Sequence, residues 1–210
     1  MADPTGNLRI QLMALLLSRP VQQINFRLGA YSVRGSDYSQ IAMALFRGKI
    51  NIEINPAKLQ GLKAGASYAD GTFTFPSANM GAKLWDRLVI VHESTHAIAH
   101  MHKIFWGSTD GEDEAAAYVA DALYCTYIGF SATLSADLSG EDNLLDPDKM
   151  VKNDVLWTAM TIALKIKDTP GAVVPVQDAF AMRMAVTKNP TYVNMGVTLG
   201  TLPVVHKGVW

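Results

Sequence analysis

The chain has 210 residues, 49% of them apolar and 18% charged, with a formal net charge of −1. This composition suits a globular domain with a proper core and argues against disorder, and the near-neutral charge gives nucleic acid or an anionic membrane surface no long-range attraction. A single cysteine, Cys125, excludes a disulfide framework and a cysteine-built zinc finger, so any metal site must come from His, Asp and Glu.

The apolar run at 10–17 follows Arg9, the order found in a secretory signal. It is short, interrupted by Gln11 and followed by Ser18-Arg19-Pro20 rather than a small-residue cleavage site. It reads as a buried helix over about 7–18, stopped by Pro20. No apolar stretch reaches bilayer length, so a cytoplasmic location is the default expectation, with export lacking a classical signal as the alternative. Residues 21–33 favour neither helix nor strand. Ser36 or Asp37 can cap a second helix that ends at Gly48.

The alternating segment Lys49-Ile50-Asn51-Ile52-Glu53-Ile54 predicts a half-buried strand ended by Pro56. Residues 61–71 are small and polar, with a turn at Ala69-Asp70-Gly71. Thr72-Phe73-Thr74-Phe75 is a second short strand, stopped by Pro76. A long helix is expected over about 82–102, then a loop with Gly107 and Gly111, then a helix over about 112–128. Residues 131–149 are acidic and loop-like. Helices near 148–166 and 176–186 and a terminal strand near 197–205 complete the reading. The expectation is one α+β domain, with a small N-terminal sheet on the second-quarter helix and a mostly helical C-terminal half.

Four of the five histidines, His92, His96, His100 and His102, fall within eleven residues. His92-Glu93-Ser94-Thr95-His96 is an H-E-x-x-H pattern on the expected long helix. Residues four apart lie one turn apart on the same face, so both imidazoles can reach one metal ion. Glu93, about 100° further round, can reach a water on that ion without binding the ion itself. The flanks (Leu88, Val89, Ile90, Val91, Ala97, Ile98, Ala99) are apolar. A buried helix tolerates such polar groups only when they are hydrogen-bonded, paired or metal-bound. The bland alternative is a pair of core histidines satisfied by hydrogen bonds, with Glu93 at a solvent edge.

A catalytic zinc takes three protein ligands and keeps one position open. The third is sought in Glu112-Asp113-Glu114-Ala115-Ala116-Ala117-Tyr118, which opens the next helix. Glu114 lies 18 residues beyond His96, enough for the first helix to end and a second to pack beside it.

At this point the sequence resembles the zincins, and within them the glutamate-ligand branch that includes the thermolysin-like peptidases. That branch carries a downstream Glu with a small residue at plus three and a polar one at plus four. Glu114, Ala117 and Tyr118 take this form, with Tyr118 where Asp or Asn is more usual. The stretch is also similar to uncharacterised bacterial H-E-x-x-H proteins with an E-A-x-A-Y segment. The resemblance covers roughly residues 72–128. It implies a zincin-like fold, one zinc ion per chain held by His92, His96 and Glu114, Glu93 as general base, and a peptide or protein substrate. In that scheme Asp121 takes the role of orienting a ligand histidine, and the strand at 72–75 or at 49–54 could hold the substrate by backbone pairing.

Other ligands compete. Glu112 is a poorer motif match than Glu114 and points to nearly the opposite side of the helix, so only one of them can serve. His102 has the spacing of a metzincin third ligand, but that arrangement needs a glycine where this chain has Ala99. His100 lies a further turn along and is expected to pack or to make a surface hydrogen bond. For the oxyanion, His206, Tyr124, Tyr127, Tyr192 and Arg183 are all available donors, and no pattern selects one. A di-iron helical bundle would need a second E-x-x-H, which the chain lacks. A non-catalytic zincin-like binding module would share every feature above.

Overall fold

The computed structural model describes residues 4–62, 65–104, 110–129, 154–190 and 192. The elements run α1 (Pro4–Leu16), α2 (Arg19–Gln22), β1 (Asn25–Leu28), β2 (Tyr31–Arg34), α3 (Gly35–Phe46), β3 (Asn51–Ile54), α4 (Pro56–Leu62), β4 (Ser67–Ala69), β5 (Thr72–Phe75), α5 (Leu84–Met101), α6 (Asp110–Tyr127), α7 (Asp154–Ile166), β6 (Ala172–Val173) and α8 (Val176–Lys188). The architecture is α+β, as the sequence predicts. The acidic loop expected at 131–149, the strand expected at 197–205 and His206 lie outside the described residues. Among those described, no helix is long and apolar enough to cross a membrane.

Two three-stranded sheets form. In the first, β1 lies between β2, antiparallel to it, and β6, parallel to it. The unassigned segment at 21–33 is thus mainly a hairpin, turning at Gly29, whose φ of +56° suits a residue without Cβ. In the second sheet β5 is central, parallel to β3 and antiparallel to β4. Phe73 and Phe75 are fully buried and stack with ring centroids 5.9 Å apart. Thr74, on the opposite face, is buried too. It accepts a hydrogen bond from Lys58 and donates one to Glu53.

Strand β4 was not expected, because Ser67-Tyr68-Ala69 is too short for its alternation to register. Its pairing follows from the turn at Asp70 and Gly71, both with positive φ, which folds β4 back onto β5 as a tight hairpin.

The long helix α5 begins where Asp86 accepts the backbone N–H groups of Gly81 and Lys83, at 3.2 Å each. This satisfies donors that a helix start otherwise leaves orphaned. The helix packs against α6, α3, β2 and β4. It ends at Lys103 (φ +54°), with the Ile104 N–H closing on the Ala99 carbonyl. Helix α6 is inserted between α5 and the α7–α8 pair. Its small face (Ala115, Ala116, Ala117, Ala120) is buried and lets these helices approach closely. The two C-terminal helices pack on α6.

Candidate metal centre

His92 and His96 project from one face of α5 toward α6, where Glu114 meets them. His92 Nε2 is 3.2 Å from Glu114 Oε2, and His96 Nε2 is 3.7 Å from Glu114 Oε1. The three residues each offer a ligand atom, all within 4.8 Å of one another, and form a partly buried group close enough to hold a metal ion. The imidazole centroids are 5.0 Å apart and nearly perpendicular, as one turn of helix dictates.

Each imidazole is fixed from behind by a carboxylate of α6. His92 Nδ1 lies 2.8 Å from Asp121 Oδ2, and His96 Nδ1 lies 2.7 Å from Asp113 Oδ2. Occupying both Nδ1 atoms leaves both Nε2 atoms turned toward Glu114, the arrangement that carboxylate partners impose on metal-ligating histidines. Asp121 thus bonds His92, one of the two histidines it was expected to orient. Asp113 was missed, although its place beside Glu114 on a helix start hinted that it could face α5 one turn further along.

Charge supports the same reading. Glu93, Asp113, Glu114 and Asp121 surround two imidazoles. Acidic groups thus outnumber imidazoles in the cluster, while burial favours the neutral acid at Glu93 and Asp121. The Oδ1 atoms of Asp113 and Asp121 are buried without a hydrogen-bond partner among the described residues.

The titration of the metal-free cluster follows. Burial pulls the His96 imidazolium down, but Asp113 and Glu114 outweigh it and raise its pKa to about 9. His92 is likewise held well above its usual range, burial being outweighed by Asp121 and Glu114. Against its own burial, Glu114 is lowered to about 2 by His96, His92 and a hydrogen bond from Tyr192. Burial raises Asp121 to about 6, only partly offset by His92.

Glu93 is partly buried, with the backbone of Tyr68 on β4 nearby. Burial raises its pKa, while His96 and His92 pull it back down.

The other candidates go elsewhere. Glu112 turns to the β1–β2 hairpin and accepts the Ala30 N–H at 3.3 Å. It sits so tightly over Gly29 that a Cβ there would lie 1.4 Å from its Oε1. It is a clamp between hairpin and helix, not a member of the His–His–Glu group. His102 follows the last turn of an unbroken α5 and pairs with Asp37 at 3.3 Å, because Ala99 lets the helix continue where a glycine would break it. His100, expected to pack or to bond at the surface, is buried, with Nδ1 2.8 Å from the Tyr68 hydroxyl. Among the oxyanion candidates, Tyr192 reaches the group: its hydroxyl donates to Glu114 and lies 2.7 Å from the Tyr118 hydroxyl. An ionised carboxylate only accepts, so Tyr118 donates to Tyr192 and Tyr192 to Glu114. Tyr127 instead donates to the Lys167 carbonyl, and Arg183 lies over the Phe180 ring.

Comparison with protein families, curated proteins and solved structures gives no match for this chain.

Proposed function

We propose that the protein is a zinc-dependent hydrolase of the zincin type, cleaving peptide or related amide bonds. The observation that carries the proposal is the convergence of His92 Nε2, His96 Nε2 and the Glu114 carboxylate, with Glu93 next to the first ligand in the chain. Two imidazoles and one carboxylate with both outer nitrogens braced are the donor set of a three-ligand zinc site with an open position. A zinc ion there would supply Lewis acidity toward a carbonyl oxygen and lower the pKa of water.

The chain's own residues divide the remaining work. His92 and His96 present Nε2 because Asp121 and Asp113 hold Nδ1. Tyr192, backed by Tyr118, fixes the Glu114 carboxylate. Glu93 takes the proton of the attacking water at its carboxylate and returns it to the leaving amine. Burial raises its pKa toward the working pH, which favours a group that must both accept and donate.

The test is a peptide-library digest with the zinc-loaded protein beside Glu93→Gln. Cleavage by the wild type that falls by at least about a hundredfold in the variant, with metal retained, is the expected outcome. Equal cleavage by both would overturn the assignment of Glu93. A zinc-loaded wild type that cleaves nothing would favour a metal-binding module that performs no hydrolysis.

A further inference from the structure

We infer that Tyr38, acting through Thr95, is a positioning residue of the metal centre. The inference rests on the reading of His92, His96 and Glu114 as a metal site and does not depend on hydrolysis. Thr95 immediately precedes His96 in the chain, and Val91 immediately precedes His92. The Thr95 hydroxyl donates back to the Val91 carbonyl at 3.0 Å, and its oxygen lies 2.8 Å from the Tyr38 hydroxyl. A threonine hydroxyl has one proton, which goes to Val91, so Tyr38 is the donor to Thr95. Both side chains are fully buried. Burial also holds the Tyr38 phenol well above its usual range, so it stays protonated and able to donate.

This chain of hydroxyls falls on the turn of α5 that carries both imidazoles. In an α-helix the Val91 carbonyl also accepts the Thr95 N–H, and a hydroxyl sharing that carbonyl is a device that bends helices locally. The bond from Tyr38 holds the Thr95 hydroxyl in place, and so sets the local tilt between the two ligand positions. Asp121 and Asp113 reach the imidazoles from α6 and set how each ring is turned. Tyr38 holds the backbone beneath them from α3, since Thr95 projects about 60° round the helix from His92. The start of α3 is itself firm: Asp37 accepts the Arg34 N–H at 2.9 Å and pairs with His102 at 3.3 Å. Thr95 and His102 are seven residues apart, two turns, so α3 grips α5 at two points on one face. Of these two, the Tyr38 contact is the one within the ligand turn. Phenylalanine at 38 and valine at 95 would fill the same space; the hydroxyls add direction, which apolar packing does not supply.

The test is zinc affinity by chelator competition, together with the absorption spectrum of the cobalt(II)-loaded protein. The proteins compared are the wild type, Tyr38→Phe, Thr95→Val, Thr95→Ser and the double variant of Tyr38→Phe with Thr95→Val. A pair that only supports the fold would destabilise metal-free and metal-loaded protein alike, and neither readout would move. Tyr38→Phe is expected to weaken zinc binding about three- to tenfold and to shift the cobalt(II) ligand-field bands. Thr95→Ser keeps the hydroxyl and is expected to stay within about twofold of the wild type. The double variant is expected to bind zinc as Thr95→Val does, because the two substitutions break one path. Unchanged affinity and spectrum in Tyr38→Phe would overturn the inference. Losses that add in the double variant would also overturn it, since Tyr38 would then act by a route other than Thr95. A wild type that binds neither zinc nor cobalt(II) would overturn the metal reading itself, and this inference with it.

Discussion

His92 Nδ1 and Asp121 Oδ2 lie 2.8 Å apart across the α5–α6 interface, and this contact joins the packing of two helices to the chemistry of one ligand atom. The same helix contributes Asp113 to His96, so α6 braces both imidazoles while supplying Glu114, the third member of the group that could hold a metal ion. Replacing either brace should therefore weaken metal binding without removing a ligand. Asp121→Asn and Asp113→Asn are each expected to lower zinc affinity by about 10–100-fold, measured by competition with a chromophoric chelator. Affinity unchanged in both would mean that the imidazoles are held by packing alone.

Stability of the metal-free protein should fall as pH rises above neutrality. His96 is raised to about 9 from its usual 6.5, so its contribution is complete below about 6.5 and is lost as pH rises through about 9. Asp121 is raised to about 6 from its usual 3.8, so its ionisation costs stability between those values, below the range in which His96 acts. Glu114 is lowered to about 2, and its contribution is lost only as pH falls below about 4.5 toward 2. Metal competes with protons for the imidazoles, so zinc binding strengthens with pH. The rise in Tm on adding zinc is therefore expected to grow between pH 6 and pH 9, as differential scanning fluorimetry would show. A rise that shrinks over that range would contradict these assignments.

Glu112 and Glu114 should separate cleanly by mutation. Glu112→Ala removes the acceptor of the Ala30 N–H and is expected to cost about 1–2 kcal/mol in urea unfolding while one zinc is retained. Gly29→Ala meets the same carboxylate and a left-handed backbone, and is expected to destabilise by about 1–3 kcal/mol. Loss of zinc from Glu112→Ala at unchanged stability would return Glu112 to the ligand set.

His102→Gln should leave metal content unchanged. Its pairing with Asp37 is half-exposed, with 39% of the His102 side chain accessible, so the expected loss is under about 1 kcal/mol. A metal content that halves in this variant would restore the metzincin-like arrangement.

The parts of this molecule that were legible in the sequence are those fixed by local periodicity. The strand at Thr72–Phe75, the helix carrying His92 and His96, and the helix carrying Glu114 appear where their patterns place them. Asp121 could be found because seven residues on a helix is two turns. Asp113 had only its place beside Glu114 as a hint, and Tyr68, the partner of His100, had none, since both contacts depend on how α6 and β4 sit against α5. Tyr192 is 78 residues from Glu114 in the chain, and only the packing of α8 beside α6 brings it there. His100 was expected at the surface or in packing because its partner, on the short strand β4, had no periodic signal of its own.

The most direct test of the central claim is the metal content of the purified protein, by mass spectrometry, beside His96→Ala and Glu114→Ala. Zinc is the metal expected, although two imidazoles and a carboxylate also suit ferrous iron, so both are measured. About one zinc per chain in the wild type, lost or much reduced in both variants, is the predicted result. A wild type that takes up no metal even when zinc is supplied would contradict the account and leave the His–His–Glu group as a buried network of ion pairs.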